Sequence, residues 1–117
     1  MAEPAAPASL EGVSAAELAG AAARAARLLR LMGHDARLMI LCHLAEGEQH
    51  VGALEAKLDL SQSALSQHLA RLRAEGLVAT RRAGQQIFYR LASEEAAQIL
   101  AAVHAVYCPV PDPAEAR

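Results

Sequence analysis

Residues 61–76 read Ser61-Gln-Ser-Ala-Leu-Ser-Gln-His-Leu-Ala-Arg-Leu-Arg-Ala-Glu-Gly76 and predict one short helix with two unlike faces. Leu65, Leu69 and Leu72 recur at i, i+4 and i+7, an apolar stripe suited to docking on a core. Ser63, Ser66, Gln67 and Ala70 fall on roughly the opposite side, which is small, polar and almost uncharged. A solvated helix face usually carries Glu and Lys. Short Ser and Gln side chains suit close approach to a partner with hydrogen-bonding edges, such as the bases in a DNA major groove. Ser61 is the expected N-cap and Gly76 the expected residue just past the C-cap. Taken alone, the stretch fits a plain surface helix equally well, and its flanks decide between the two.

The 117 residues predict one domain with a modest core. Hydrophobic residues make up 54% and aromatics only 3%, so the core must be aliphatic, which favours helices. No apolar run reaches membrane-spanning length and no leader pattern opens the chain, so a cytoplasmic protein is expected. Two cysteines in a reducing compartment do not predict a permanent disulfide.

Net charge is −2, but its distribution is uneven. Residues 1–56 hold four arginines against seven acids, and residues 91–117 hold one against four. Between them, Lys57, Arg71, Arg73, Arg81, Arg82 and Arg90 face only Asp59 and Glu75. A basic patch on an acidic body can bind phosphate while the overall pI stays low.

Residues 1–13, with Pro4, Pro7 and many alanines, predict a flexible arm. Ser14 and Glu17 form a capping-box pattern, so a helix should start there and run to about Leu31, with Gly33 as its stop. Its apolar side is Leu18, Ala22, Ala25, Leu28 (or Leu29) and Met32, with Arg24, Arg27 and Arg30 off it. A small-residue helix of this kind is expected to pack on a second copy of the chain. A second helix, Asp35 to Ala45, is apolar nearly all round and should be buried centrally, with Cys42 in or at the rim of the core. Val51, Leu54 and Leu58 mark a short third helix, and Asp59-Leu60 turns the chain into Ser61. Two short helices joined by a tight turn, the second polar outside, make a helix-turn-helix pattern.

After Gly76 the pattern alternates. Leu77–Arg82, a turn at Ala83-Gly84, and Gln85–Leu91 predict a β-hairpin with Ile87, Tyr89 and Leu91 on one face. Arg81, Arg82 and Gln85 crowd its tip, as a DNA-contacting wing requires; a solvated hairpin end is the plainer alternative. Ser93 should cap a last helix with Ala96, Ile99, Leu100, Val103 and Tyr107 as its stripe. Pro109 ends it, and residues 109–117 predict a flexible tail. The fold class expected is therefore mainly α with a small β-hairpin, a single domain over residues 14–108.

The element order, with the string from Leu60 to Leu91, resembles the ArsR/SmtB family of winged-helix repressors. The core Ser66-Gln67-His68-Leu69, the Gly76-Leu77-Val78 junction and the wing carry the likeness. The family implies a winged helix-turn-helix, a homodimer through the first and last helices, double-stranded operator DNA as partner, and repression relieved by an inducer. By that analogy Gln62, Ser63, Ser66, Gln67 and Arg71 face the major groove or its phosphates. Arg81, Arg82 and Gln85 reach the backbone or minor groove. His68 reads as a helix-packing histidine, with a phosphate contact as the alternative.

One metal-sensing class of the family carries Cys-x-Cys before the recognition helix, where this chain has His50 and Gly52. Another carries Asp, His and Glu ligands on the last helix, where this chain offers His104, with Glu94 and Glu95 too far back. Neither set is complete, so no metal and no cofactor are expected. Cys42 and Cys108 instead resemble the dithiol, persulfide-sensing branch of the family (SqrR/BigR/HlyU-like), with one cysteine on the second helix and one at the end of the last. That likeness implies a persulfide-type inducer, a polysulfide or disulfide bridge, and release of sulfide-detoxification genes. Sensing of a metal, metalloid or peroxide is the alternative. Simple packing is the plainer use of a buried cysteine. An enzyme is not expected, since His104 beside Cys108 is the one candidate nucleophile–base pair and no substrate pocket can be inferred.

Overall fold

The computed structural model describes residues 12–108. The expected tail, and the expected arm apart from Gly12 and Val13, lie outside the described residues. The elements are α1 (Ala15–Met32), α2 (Asp35–Ala45), β1 (Gln49–His50), α3 (Val51–Lys57), α4 (Gln62–Ala74), β2 (Val78–Ala83), β3 (Gln86–Leu91) and α5 (Glu94–Tyr107). Helix α2 is the hub and packs on α1, α4, α5 and β3.

Each helix start is fixed locally by a side chain that accepts an otherwise unpaired N–H. The Ser14–Glu17 capping box forms in both directions, at 3.0 and 3.3 Å. Ser61 Oγ accepts from the Ala64 N–H at 3.0 Å, and Ser93 Oγ from that of Ala96 at 3.1 Å. Two histidines do the same work, which the sequence pattern does not announce. The Nδ1 of His34 accepts from Ala36 N–H to open α2, and that of His50 accepts from Ala53 N–H to open α3.

Helix α4 stops where Gly76 takes φ +81°, a left-handed conformation that glycine adopts without a Cβ clash. The Leu77 N–H then bonds the Leu72 carbonyl, and the Gly76 N–H that of Arg73. This is the Schellman arrangement, sealed by Leu72 and Leu77, both buried. It hands the chain directly from α4 into β2.

The core is aliphatic. Leu65, Leu69 and Leu72 of α4 are at most 1% exposed and belong to one cluster with Ile40, Leu41 and Leu44 of α2 and Leu54 of α3. Leu77, Val78, Ala96 and Leu100 close it from the sheet and α5. The expectation that α2 is buried all round is corrected: Met39 is 49% exposed, and Leu38 and Cys42 are only half-buried. Among the described residues, no element fully covers that side of the hub.

The sheet also departs from expectation. It has three antiparallel strands in the order β1-β3-β2, because Gln49-His50 pairs with Phe88-Tyr89. A two-residue strand is too short to show a period of two. The turn is Gly84-Gln85, one residue later than expected, since Ala83 still pairs with Gln86. Gly84 has φ +63° and Gln85 is not positive, the pattern of a type II′ turn with glycine first. Tyr89 and Leu91 pack on the core as expected, while Ile87 lies beyond its reach at 39% exposure.

His68 packs against the α2 cap, its ring 4.8 Å from that of His34. Burial, then the charges of His34 and Arg37, hold its pKa below the usual 6.5. The unfolded chain therefore takes this proton first as pH falls. The His68 contribution to stability is fully present above about pH 6.5 and is lost as pH drops through its lower folded value. Urea denaturation across pH 5–8 should show this dependence, and His68→Gln should flatten it.

Leu69→Ala should cost about 2–5 kcal/mol in the same assay at fixed protein concentration, because it empties a filled core site. Ser66→Ala, one turn away on the outer face, should stay within about 0.5 kcal/mol. Equal costs at the two positions would refute the two-faced description of α4.

Candidate functional site

Burial of the leucine stripe dictates what α4 shows to solvent. Gln62, Ser63, Ser66, Gln67 and Arg71 are all exposed. Ser63, Ser66 and Gln67 fall on the side opposite the leucine stripe, with Gln62 and Arg71 at its two edges. Arg71 and Arg73 sit in its last turn, where cations are favoured by the helix dipole. Helix α3 is braced beneath by linked hydrogen bonds: Lys57 Nζ donates to Gln49 Oε1 at 2.7 Å, and Gln49 Nε2 donates to the His43 carbonyl at 2.7 Å. Helix α3 is thus held to the end of α2 by polar as well as apolar interactions.

The wing separates its expected residues. Arg82 and Gln85 are exposed at the end of the hairpin. Arg81 is engaged by its neighbours. Its Nε and an Nη approach Glu48 Oε1 at 2.8 and 2.7 Å, and its guanidinium lies 4.6 Å from the centroid of the Phe88 ring. The carboxylate raises the already high Arg81 pKa, first through the hydrogen bond and then through its charge. Arg81 remains 52% exposed, so it stands at the surface with part of its charge already answered. Sequence reasoning missed Glu48, which lies 33 residues from Arg81 and beside a strand too short to recognise. The same row of the sheet continues to His50, whose ring meets Phe88 edge-on at 5.6 Å. His50, which stands where one metal-sensing class has a thiolate, is used here as a cap and a packing group. Among the described residues, no three His, Cys, Asp or Glu side chains gather as a metal site.

On the far side of α2 from the leucine stripe, a cleft of about 510 Å³ opens between α2 and α5. Met39, Cys42, His43, Leu100, Ala101 and His104 line it. Both cysteines are free thiols. Cys42 is half-buried, and its pKa is raised by burial first, then by the negative charges that Cys108 and Glu46 can carry. Cys108 is exposed at the C-cap of α5, its N–H bonded to the His104 carbonyl at 2.8 Å. The charge that Cys108 can carry reaches Cys42, although 66 positions separate the two in the chain. His104 lines the cleft that Cys42 opens into.

No described helix is long and apolar enough to cross a membrane.

The chain resembles known regulators along most of its length. Residues 34–80, from the cap of α2 into β2, match the family described as bacterial regulatory protein, arsR family. The biofilm growth-associated repressor of Agrobacterium fabrum is 53% identical over 87 residues, 74% of each chain. The structure of reduced HlyU from Vibrio cholerae superposes with a TM-score of 0.75 at 48% identity, covering 79% of this chain and 97% of that one. The homodimeric winged helix-turn-helix DNA-binding domain of Mb0332 from Mycobacterium bovis gives 0.66 at 32% identity, covering 81% and 88%. These relatives are regulators rather than enzymes. With its two-faced α4, its wing and these likenesses, the chain belongs to the arsR family of bacterial regulatory proteins and is a DNA-binding transcriptional regulator.

Proposed function

We propose that this regulator is a homodimeric repressor whose operator affinity falls when reactive sulfur species bridge Cys42 and Cys108. The sensing half is supported by two observations: Cys42 opens into the α2–α5 cleft, and its thiol is raised in part by the charge that Cys108 can carry at the C-cap of α5. Cys108 is exposed and suited to attack first, while burial keeps the Cys42 thiol protonated and in reserve.

The chemistry balances with a low-molecular-weight persulfide, R–S–SH, as oxidant. The Cys108 thiolate attacks the outer sulfur, the S–S bond breaks, and RS⁻ leaves. The Cys42 thiolate then attacks the Cys108 sulfur and expels hydrosulfide, giving a disulfide. If a second persulfide first adds another sulfur to Cys108, attack one sulfur further out gives a trisulfide and again releases hydrosulfide. In both cases two thiols are oxidised and the persulfide is reduced.

Operator binding is assigned to Gln62, Ser63, Ser66 and Gln67 on base edges, with Arg71, Arg82 and Gln85 on the backbone or minor groove. Arg81 joins them once its bond to Glu48 is exchanged for a phosphate. Two-fold pairing through α1 and α5 is supported by their uncovered apolar residues. Leu18, Leu29, Val106 and Tyr107 are 45, 51, 69 and 78% exposed in the single chain. The dimer matters because two recognition helices must meet successive major grooves about 34–36 Å apart. Cytoplasmic DNA is the setting in which such a regulator works.

The test pairs mass with binding. The reduced protein is treated with a persulfide donor, and its intact mass and its affinity for its own promoter fragment are compared before and after. The expected result is loss of two hydrogens, with or without added sulfur, reversed by reductant and accompanied by weaker DNA binding. Cys42→Ser and Cys108→Ser should each abolish the change in affinity. A bridged protein that binds as tightly as the reduced one would sink the sensing proposal.

The wing gives a separate expectation. Arg82→Ala should weaken binding on any sequence and make its salt dependence shallower by about one unit of slope for each phosphate no longer neutralised. Glu48→Gln should release Arg81, tighten binding and steepen that slope. An unchanged slope in Glu48→Gln would mean that Arg81 serves the sheet and not the DNA.

A further inference from the structure

Arg27 and Arg30 of α1, Arg37 of α2 and Arg71 of α4 converge on a cleft of about 390 Å³, where the one carboxylate is Glu75. That carboxylate is already taken, since Arg27 donates to it at 2.6 Å. The other three arginines therefore line the cleft with no further carboxylate in it to pair them. Arg30 and Arg71 are exposed, while the Nε of Arg37 is buried and has no hydrogen-bond partner among the described residues. A buried N–H donor with nothing to bond costs free energy, and like charges gathered on three helices repel. A multivalent oxygen acceptor relieves both.

The place of the cleft indicates which acceptor it takes. Arg71 follows Gln67 by one helical turn on α4, about 6 Å along the axis. A helix with its side chains is about 10–12 Å across, and the B-DNA major groove is about 12 Å wide. A helix seated in that groove presses its flanks against the phosphate walls. The flank of α4 that abuts α1 and α2 is the flank that carries this cleft. Guanidiniums are well matched to phosphate because their fixed fork of N–H groups can donate in pairs.

We propose that the cleft of Arg30, Arg37 and Arg71 seats a backbone phosphate of bound DNA, making α1 and α2 part of the DNA-binding surface. The inference rests on the DNA-binding reading of α4 and adds two residues, Arg30 and Arg37, that lie outside the helix-turn-helix pair and the wing. The interaction is blind to sequence. It holds the recognition helix in the groove while the Ser and Gln face reads the bases. Arg27 stays with Glu75 and ties α1 to the end of α4, so the site keeps its shape when empty.

The experiment measures affinity against salt concentration on two duplexes, the chain's own promoter fragment and an unrelated sequence of equal length. Arg30→Ala, and Arg30→Ala with Arg37→Gln, should weaken both duplexes by the same factor. The slope should become shallower by about one unit for each phosphate the variant no longer neutralises. Arg30→Lys should keep the slope, since the charge remains. If the double variant fails to fold, Arg30→Ala alone decides, because that side chain is exposed.

A slope unchanged by Arg30→Ala overturns the proposal. So does a weakening confined to the promoter fragment, because a phosphate cannot discriminate sequence. Titration with inorganic pyrophosphate separates a second source of the same chemistry: a variant-sensitive rise in thermal midpoint with no change in the DNA slope marks a small-anion site and also overturns the proposal. If the unaltered protein binds neither duplex, the DNA-binding reading has failed, and this inference goes with it.

Discussion

Burial of Leu65, Leu69 and Leu72 against α2 is the packing on which the other features depend. It fixes the rotation of α4 about its own axis, because a helix has one apolar stripe and that stripe has one place to go. Once the rotation is fixed, Ser63, Ser66 and Gln67 point outward together without any interaction of their own. The surface proposed to meet DNA is thus a by-product of the core. This explains why the exposed face can remain small and uncharged: it contributes little to stability and is free to suit a partner.

The charges follow a related logic. The acids near the basic surface hold arginines in place more than they neutralise the protein. Glu48 ties Arg81 to the sheet, and Glu75 ties Arg27 to the end of α4. Pairs this exposed are worth little in water, typically about 0–1 kcal/mol. A phosphate can therefore compete for Arg81 without large cost, while in the absence of DNA that side chain is held near where it is needed. The pairing also lowers the local repulsion that a bare cluster of guanidiniums would carry.

Much of this fold was legible in the sequence because its signals are local. Ser14, Ser61 and Ser93 each cap the helix they precede, Gly76 takes the left-handed conformation its position suggested, and the leucine stripe is buried at the spacing that announced it. The features that escaped are pairings between distant residues. β1 is two residues long and exists only because β3 lies beside it, and Arg81 meets a carboxylate 33 positions away. His34 and His50 escaped for another reason, since an imidazole nitrogen can cap a helix but seldom announces itself as the cap. The pairing proposed for Cys42 and Cys108 rests on likeness to a family, because spacing along a chain does not determine distance across a fold.

Helix α2 is where the two halves of the proposed activity meet. One side of it receives the leucines of α4, and the side carrying Cys42 opens on the α5 cleft. A bond between Cys42 and Cys108 would tie the middle of the hub to the far end of α5, the helix assigned to the partner interface. Close-packed aliphatic cores do not absorb such a displacement by deforming continuously; they shift between discrete packings. The leucine stripe would transmit a tilt of α2 to α4 nearly as a rigid body, because Leu65, Leu69 and Leu72 sit fully buried in that core. On that reading a small movement at the thiols suffices. In a two-fold dimer, any rotation of one recognition helix is matched by its mate, so the error in spacing between successive grooves is doubled. The coupling then needs no separate relay: the residues that hold the recognition helix in position are the ones that would carry it out of register.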